Sequence, residues 1–368
     1  MPNWIPKFDP QVNTKDHQIL EDIIEIEAYK RSTLKIPLPP GIRSKLNELN
    51  IIRAIKGTTG IEGNTLSEEE VESLVESKKI HSKTALQELE VLNAAKTFEF
   101  TKNFKKDAAE TIITENQIKH LHKIITKGCN YKNNILGSYR KHVLKAGDFY
   151  PPKPEEIKSL MNNFIKFINS REVINGYKPI IRSIIAHFYL VSIHPFGDGN
   201  GRCSRALEAF ILYHGGYNIV GFYSLSNFFY KNRRKYIEEL MDARFKYNGN
   251  LINFIKFALG GYKQELESIQ DEILFYVKER FFKDYIEELL SLNKINERIS
   301  SMLINFINYK ISMPEKIFRS RTDSLIKLLF EGVSERTFYR DLEIIEKLKL
   351  LKLTDGNISA NIELIDSL

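Results

Sequence analysis

The twelve residues from His194 to Arg205, His-Pro-Phe-Gly-Asp-Gly-Asn-Gly-Arg-Cys-Ser-Arg, gather the parts that phosphate chemistry needs. His194 can take a proton near neutral pH. Asp198 offers hard carboxylate oxygen, the kind that holds Mg²⁺ together with substrate phosphates. Gly199 and Gly201 let the backbone wrap closely around phosphate oxygens. Arg202 and Arg205 carry planar guanidinium forks that match a phosphate. Phe196 has no such chemistry and is expected to anchor the loop in the core. An ordinary turn also uses Asp, Asn and Gly. Eight specified positions in twelve, however, arise by chance on the order of once in ten million for a chain this long, so the segment reads as a site.

Two helices must position it. The stretch Ile180–Ile193 is apolar on most faces and follows Pro179, which suits a first helical turn. A helix apolar nearly all round is a buried one. Pro195 and three glycines then break the pattern. From Arg202 onward, Ala206–Tyr213 reads as a second helix that ends at Gly215-Gly216. The segment is therefore a loop whose last residues open a helix, where backbone N–H groups and the helix dipole favour an anion.

At every specified position the segment fits H-x-F-x-[D/E]-G-N-G-R-x-x-R, and so resembles the signature of the Fic (Fido) family. The resemblance implies a protein AMP-transferase that uses ATP and Mg²⁺. His194 would be the general base for a Ser, Thr or Tyr hydroxyl of a target protein. Asp198 would hold Mg²⁺; Gly199, Asn200, Gly201 and Arg202 would line the anion pocket; Arg205 would hold the γ-phosphate. Upstream, Thr58-Thr-Gly-Ile-Glu62-Gly63-Asn64 resembles the family's inhibitory pattern [S/T]-x-x-x-E-[G/N], opened here by Thr58. By that resemblance Glu62 pairs with Arg205 and denies it to the γ-phosphate, since one guanidinium fork cannot serve both. In some relatives the same site also removes AMP. A plain helix end closed by Gly63-Asn64 is compatible with either role.

Two stretches match more loosely. Leu136–Pro152 mixes polar and apolar residues around a Gly-Asp turn and reads as a hairpin. In Fic proteins the corresponding flap aligns the target by strand addition, which assigns target docking to Lys141, His142, Val143, Leu144 and Lys145. Asn232–Arg244 resembles the helix whose tyrosine packs by the adenine in relatives. Many relatives carry Tyr-Tyr where this chain has Tyr236-Ile237, so nucleotide contact and plain core packing are both open for Tyr236.

The chain of 368 residues has 54 Lys and Arg against 47 Asp and Glu, a net charge of +7 and a pI near 9.0. This modest basic excess suits nucleotides or an acidic partner. Two cysteines, Cys129 and Cys203, make no disulfide framework or Cys-rich metal site. The N-terminal residues lack a signal peptide's apolar run, and no run approaches the length of about 18 that a membrane span needs. Cytoplasmic residence is the default expectation.

The expected fold is mainly α: a Fic helical bundle with a small β-hairpin flap, plus a winged helix-turn-helix-like C-terminal domain. Residues 1–110 form an N-terminal helical region that carries the inhibitory pattern at 58–64. Residues 111–262 form the catalytic core, 263–295 a helical connector and 296–368 the winged-helix-like domain. Capping-box spacing at Ser67–Glu70 and Thr114–Gln117 marks two helix starts. His120 and His122, two apart on one helix, do not share a face, which argues against a metal pair. In the last domain Ser334 is a candidate cap, and Asp355-Gly356-Asn357 a hairpin turn. Arg336 and Arg340 could face a phosphate backbone, whereas the acidic residues among them favour protein docking or a homodimer over DNA. The alternative functions are a nucleotide-sensing DNA-binding regulator and a Fido enzyme with another phosphate donor.

Overall fold

The computed structural model describes residues 4–80, 85–104 and 111–367. The chain divides into two units, Met1–Ser268 and Ile269–Leu368. The N-terminal helices and the residues around the motif thus share one unit.

The first unit opens with α1 (His17–Lys35), α2 (Pro40–Gly60), α3 (Glu68–Ser77), α4 (Ala85–Asn103) and α5 (Glu115–Thr126). It continues with α6 (Pro154–Ile168), α7 (Arg171–Gly176), α8 (Pro179–Ile193), α9 (Asn200–Leu212), α10 (Ser226–Lys231) and α11 (Arg233–Met241). α12 (Ile252–Ser291) begins in this unit and ends in the next. Both capping boxes form: Ser67 with Glu70 at the start of α3, and Thr114 with Gln117 at the start of α5.

α8 is the axis of the first unit. Every residue from Ile180 to Ile193 is buried, as a helix apolar on most faces suggests. It packs against α9 and α6, while α5 and α4 cover the other side of α9. α2 lies on α10 at glycine distance. A Cβ on Gly57 would come within 2.5 Å of the Ser226 backbone, and one on Gly60 within 2.5 Å of the Tyr230 ring. These two glycines, one turn apart, let α2 approach closely enough to bring its C-terminal end to the motif.

The second unit contains α13 (Glu297–Asn308), β1 (Ser312–Pro314), α14 (Glu315–Ser320), α15 (Ser324–Leu329), α16 (Glu335–Lys347), β2 (Leu351–Thr354) and β3 (Asn357–Ala360). The sheet is antiparallel in the order β1-β3-β2, with Met313 opposite Ile358 and Leu353 also opposite Ile358. Asp355 and Gly356 both take positive φ, as a tight two-residue hairpin turn demands. Phe306, Phe318, Phe338 and Leu342 are core residues. Ser334 accepts from the Thr337 N–H and caps α16 as expected. The unit carries 15 Lys and Arg against 17 Asp and Glu. Asp341, counted from sequence among the surface charges of α16, is instead buried and paired with Arg298 and Asn296.

Candidate active site

His194 ends α8 in the left-handed region, at φ 52. Its Nδ1 lies 3.1 Å from the Val191 carbonyl, an acceptor, so Nδ1 carries the proton and the lone pair sits on Nε2. Burial holds its pKa down to about 4, and the Arg244 and Arg140 cations add to the effect. The imidazole is therefore neutral at pH 7, in the form a general base requires.

The loop after His194 is clamped by its own residues. The Asn200 side chain accepts from the Phe196 N–H at 2.9 Å and donates to the Phe196 carbonyl at 2.9 Å. This use of the amide is local, so Asn200 shapes the loop that the anion pocket would use. Gly199 sits at φ +73, where a Cβ would strike Thr126; a Cβ on Gly197 would strike the Asn133 carbonyl. Phe196 is fully buried and stacks on His122 with ring centroids 3.8 Å apart. His122 Nδ1 accepts from the Gly137 N–H, and its Nε2–H donates to the Asp198 carbonyl, both at 3.0 Å. Burial depresses the pKa of His122 to about 4, which keeps that neutral tautomer. His122 thus ties the motif to residue 137, while His120 is exposed on another face.

Both motif arginines are buried and both are met by carboxylates. Arg202 donates through Nη1 to Glu90 at 3.0 Å and to the Tyr131 hydroxyl at 2.6 Å, and through Nη2 to Asp198 at 3.1 Å. Its Nε is buried without a partner among the described residues, a donor that suits an incoming anion. Arg205 donates from Nη2 to Glu62 at 2.6 Å. Its Nε donates to Thr58 Oγ1 and its Nη2 to the Thr58 carbonyl, each at 3.0 Å. The Glu62 carboxylate occupies the space that a Cβ on Gly201 would fill. Burial pushes the Glu62 pKa up, but Arg205 and Arg202 outweigh it and the carboxyl lies below its ordinary range. Its side chain remains 36% exposed, so solvent screens part of this attraction.

Tyr236 is packed into the core behind Arg205. Its ring is buried and stacked on Phe229 at 4.5 Å, and its hydroxyl is shared between Arg205 and His187 Nε2, the latter at 2.8 Å. His187 Nδ1 in turn bonds Glu208, whose other oxygen accepts from the Leu225 N–H. The tyrosine supports the arginine that was expected to hold phosphate.

The expected hairpin is a single turn. Ala146 and Phe149 form an isolated bridge around Gly147 and Asp148, and Lys141, His142, Val143, Leu144 and Lys145 form no ladder. Exposure alternates along these five residues, as in an extended segment. Arg140 anchors them. Its Nε donates to the His194 carbonyl at 2.9 Å, Nη1 to the His142 carbonyl at 2.9 Å and Nη2 to the Pro152 carbonyl at 2.5 Å.

Sequence reasoning missed Glu90, His122, Arg140, His187, Glu208 and Arg244. Polar residues on otherwise apolar helix faces were the available signal for His122 and His187. Arg244 is buried over the Phe149 ring at 4.3 Å, with its pKa lowered by burial to about 10.

Asp198 fits a divalent cation of the kind that relies on phosphate oxygens. Its side chain is 44% exposed, and one oxygen, Oδ1, takes both the Gly199 N–H and Arg202. No cluster of three or more His, Cys, Asp or Glu among the described residues could hold a metal by itself. A single carboxylate suits Mg²⁺, which keeps waters and phosphates in its shell.

Residues 112–212 match the Fic/DOC family. The chain is 30% identical over 210 residues to the protein adenylyltransferase Fic of Aedes aegypti, covering 56% of this chain and 39% of that protein. It is 30% identical over 260 residues to the protein of the same name from Nematostella vectensis, covering 68% and 55%. The chain therefore spans about half or less of the length of these relatives. A Fic family protein from Desulfovibrio desulfuricans G20 superposes with a TM-score of 0.59 at 19% identity, over 96% of this chain and 98% of that one. Fic-1 of C. elegans superposes with a TM-score of 0.58 at 21% identity, over 70% and 74%. Both show the mainly helical fold. With the motif loop, its two helices and these matches in agreement, residues 112–212 of this chain are a domain of the Fic/DOC family.

Proposed function

We propose that this chain is an autoinhibited protein AMP-transferase. The observation that carries the reading is the neutral His194, with its lone pair on Nε2, in one loop with two buried arginines. A target Ser, Thr or Tyr hydroxyl gives its proton to His194 Nε2 as its oxygen attacks the α-phosphorus of ATP. The bond from that phosphorus to the α,β-bridging oxygen breaks, and pyrophosphate leaves. Arg202 and Arg205 stabilise charge on the phosphates, which is most of what such a transfer asks of a protein. Asp198 would hold Mg²⁺, which when bound neutralises phosphate charge. The extended residues 141–145, braced by Arg140 against the His194 carbonyl, would pair with a target strand through their backbone.

Glu62 is the brake. Its carboxylate sits in the anion seat beside Gly201 and takes the Arg205 edge that the γ-phosphate would use. The curated relatives named protein adenylyltransferase support the reaction type. The second unit, at 15 basic against 17 acidic residues, lacks the cationic excess that duplex binding relies on. That balance favours protein docking over DNA for it.

The test incubates wild type, Glu62→Gly and Glu62→Gly/His194→Ala with α-labelled ATP, Mg²⁺ and a cell lysate. Labelled protein should rise in the first variant and vanish in the second. Label that persists without His194 would overturn the mechanism.

A further inference from the structure

Thr58 and Glu62 stand in one short segment, yet they treat Arg205 in opposite ways. Glu62 brings a carboxylate, which cancels the guanidinium charge. Thr58 brings two neutral acceptors, its Oγ1 for Nε–H and its carbonyl for Nη2. Neutral acceptors satisfy N–H groups and fix the plane of the guanidinium while leaving its positive charge for a ligand. Thr58 is itself buried, so these bonds are sheltered from water. On the other side the Tyr236 hydroxyl, backed by His187 and Glu208, holds the same guanidinium.

The two residues also differ in freedom. Thr58 lies inside α2, next to Gly57, whose Cα meets the backbone of α10 too closely for any side chain. Ile52 and Ile55 bury the same helix, and Arg233 Nε caps its end by donating to the Ile61 carbonyl at 2.9 Å. Glu62 lies past the end of α2 and is partly exposed.

We propose that Thr58 is a positioning residue of the transfer site, which holds Arg205 ready for the terminal phosphate of ATP. The inference rests on the AMP-transfer reading above, and it splits the inhibitory pattern into one residue that blocks and one that supports.

The experiment compares Glu62→Gly, Glu62→Gly/Thr58→Val, Glu62→Gly/Thr58→Ser and Thr58→Val alone. ATP and ADP affinities are read by calorimetry and transfer by α-labelled ATP. Valine keeps the shape of threonine and removes the acceptor for Nε. In the Glu62→Gly background it should weaken ATP binding about tenfold, the scale of one hydrogen bond to a charged group, while ADP affinity stays within about twofold. Serine should restore ATP affinity. Thr58→Val with Glu62 intact should transfer no more AMP than wild type. The proposal is overturned if Thr58→Val activates as Glu62→Gly does, if ATP affinity survives valine, or if ATP and ADP affinities fall together. If Glu62→Gly binds ATP but labels nothing, the AMP-transfer reading fails, and the ATP-to-ADP ratio still decides the role of Thr58.

Discussion

Replacing Glu62 by Gln separates charge from space at the anion seat. Gln keeps the length and shape of Glu and removes the charge that Arg205 pairs with. The partners are 2.6 Å apart at their contact atoms. Charge centres about 4 Å apart interact by about 4 kcal/mol at an effective dielectric of 20. The Glu62 side chain is 36% exposed, which moves the pair toward the value of up to about 1 kcal/mol seen at surfaces. A figure of about 1.5–2 kcal/mol lies between these limits, and converts to roughly 10- to 30-fold in apparent affinity for a ligand that competes for Arg205. Calorimetric titration should therefore show ATP binding tighter by about that factor in Glu62→Gln, with ADP, which lacks the competing phosphate, nearly unchanged. Equal tightening of ATP and ADP would refute competition for Arg205. No change in either, beside a large gain in Glu62→Gly, would show that the block is bulk and not charge.

Other outcomes follow from the geometry. Gly57→Ala puts a methyl against the Ser226 and Asn227 backbone, and overpacking of about 1–3 kcal/mol exceeds the helix-propensity gain of about 1 kcal/mol; thermal unfolding should show a lower Tm. Because the His194 pKa lies near 4, the kcat/KM profile should stay flat from pH 8 to about 6 and fall only in more acidic buffer; a limb near pH 6.5 would contradict the neutral, half-buried imidazole. The same depressed pKa means that the folded state binds fewer protons than the unfolded state between about pH 6.5 and 4. The His194 contribution to stability is full above that window and lost through it as pH falls, so wild type should lose more Tm than His194→Ala on acidification. Arg140→Lys cannot reach three carbonyls at once, and should lower transfer to protein targets more than it lowers ATP affinity, as read by steady-state labelling and calorimetry.

The motif loop was legible because its chemistry is local. His194, Asp198, Gly199 and Arg205 lie within twelve residues, and the apolar run before them could only be a buried helix. The pairing of Glu62 with Arg205 spans 143 residues, and family resemblance supplied it where spacing could not. What stayed hidden was the support. Glu90, Tyr131 and Arg202 come from three separate elements, and nothing local in the sequence links them. Phe275 and Phe281 are exposed, and Ile273, Phe282, Ile286 and Leu289 face the core, because a long helix offers several apolar stripes and its neighbours select one. The flap read as a hairpin from its turn residues, but a ladder also needs strand partners, which Lys141–Lys145 lack among the described residues.

The carboxylate beside Gly201 belongs to the same molecule as the seat it fills. A tethered occupant has a local concentration fixed by the chain, and dilution does not reduce it. The brake should therefore act as a threshold on nucleotide level that is the same in dilute and concentrated protein. Mutations that loosen the turn after α2 would lower that threshold gradually, and those that stiffen it would raise it. Selection could tune the set point through residues 61–66 without touching a catalytic group.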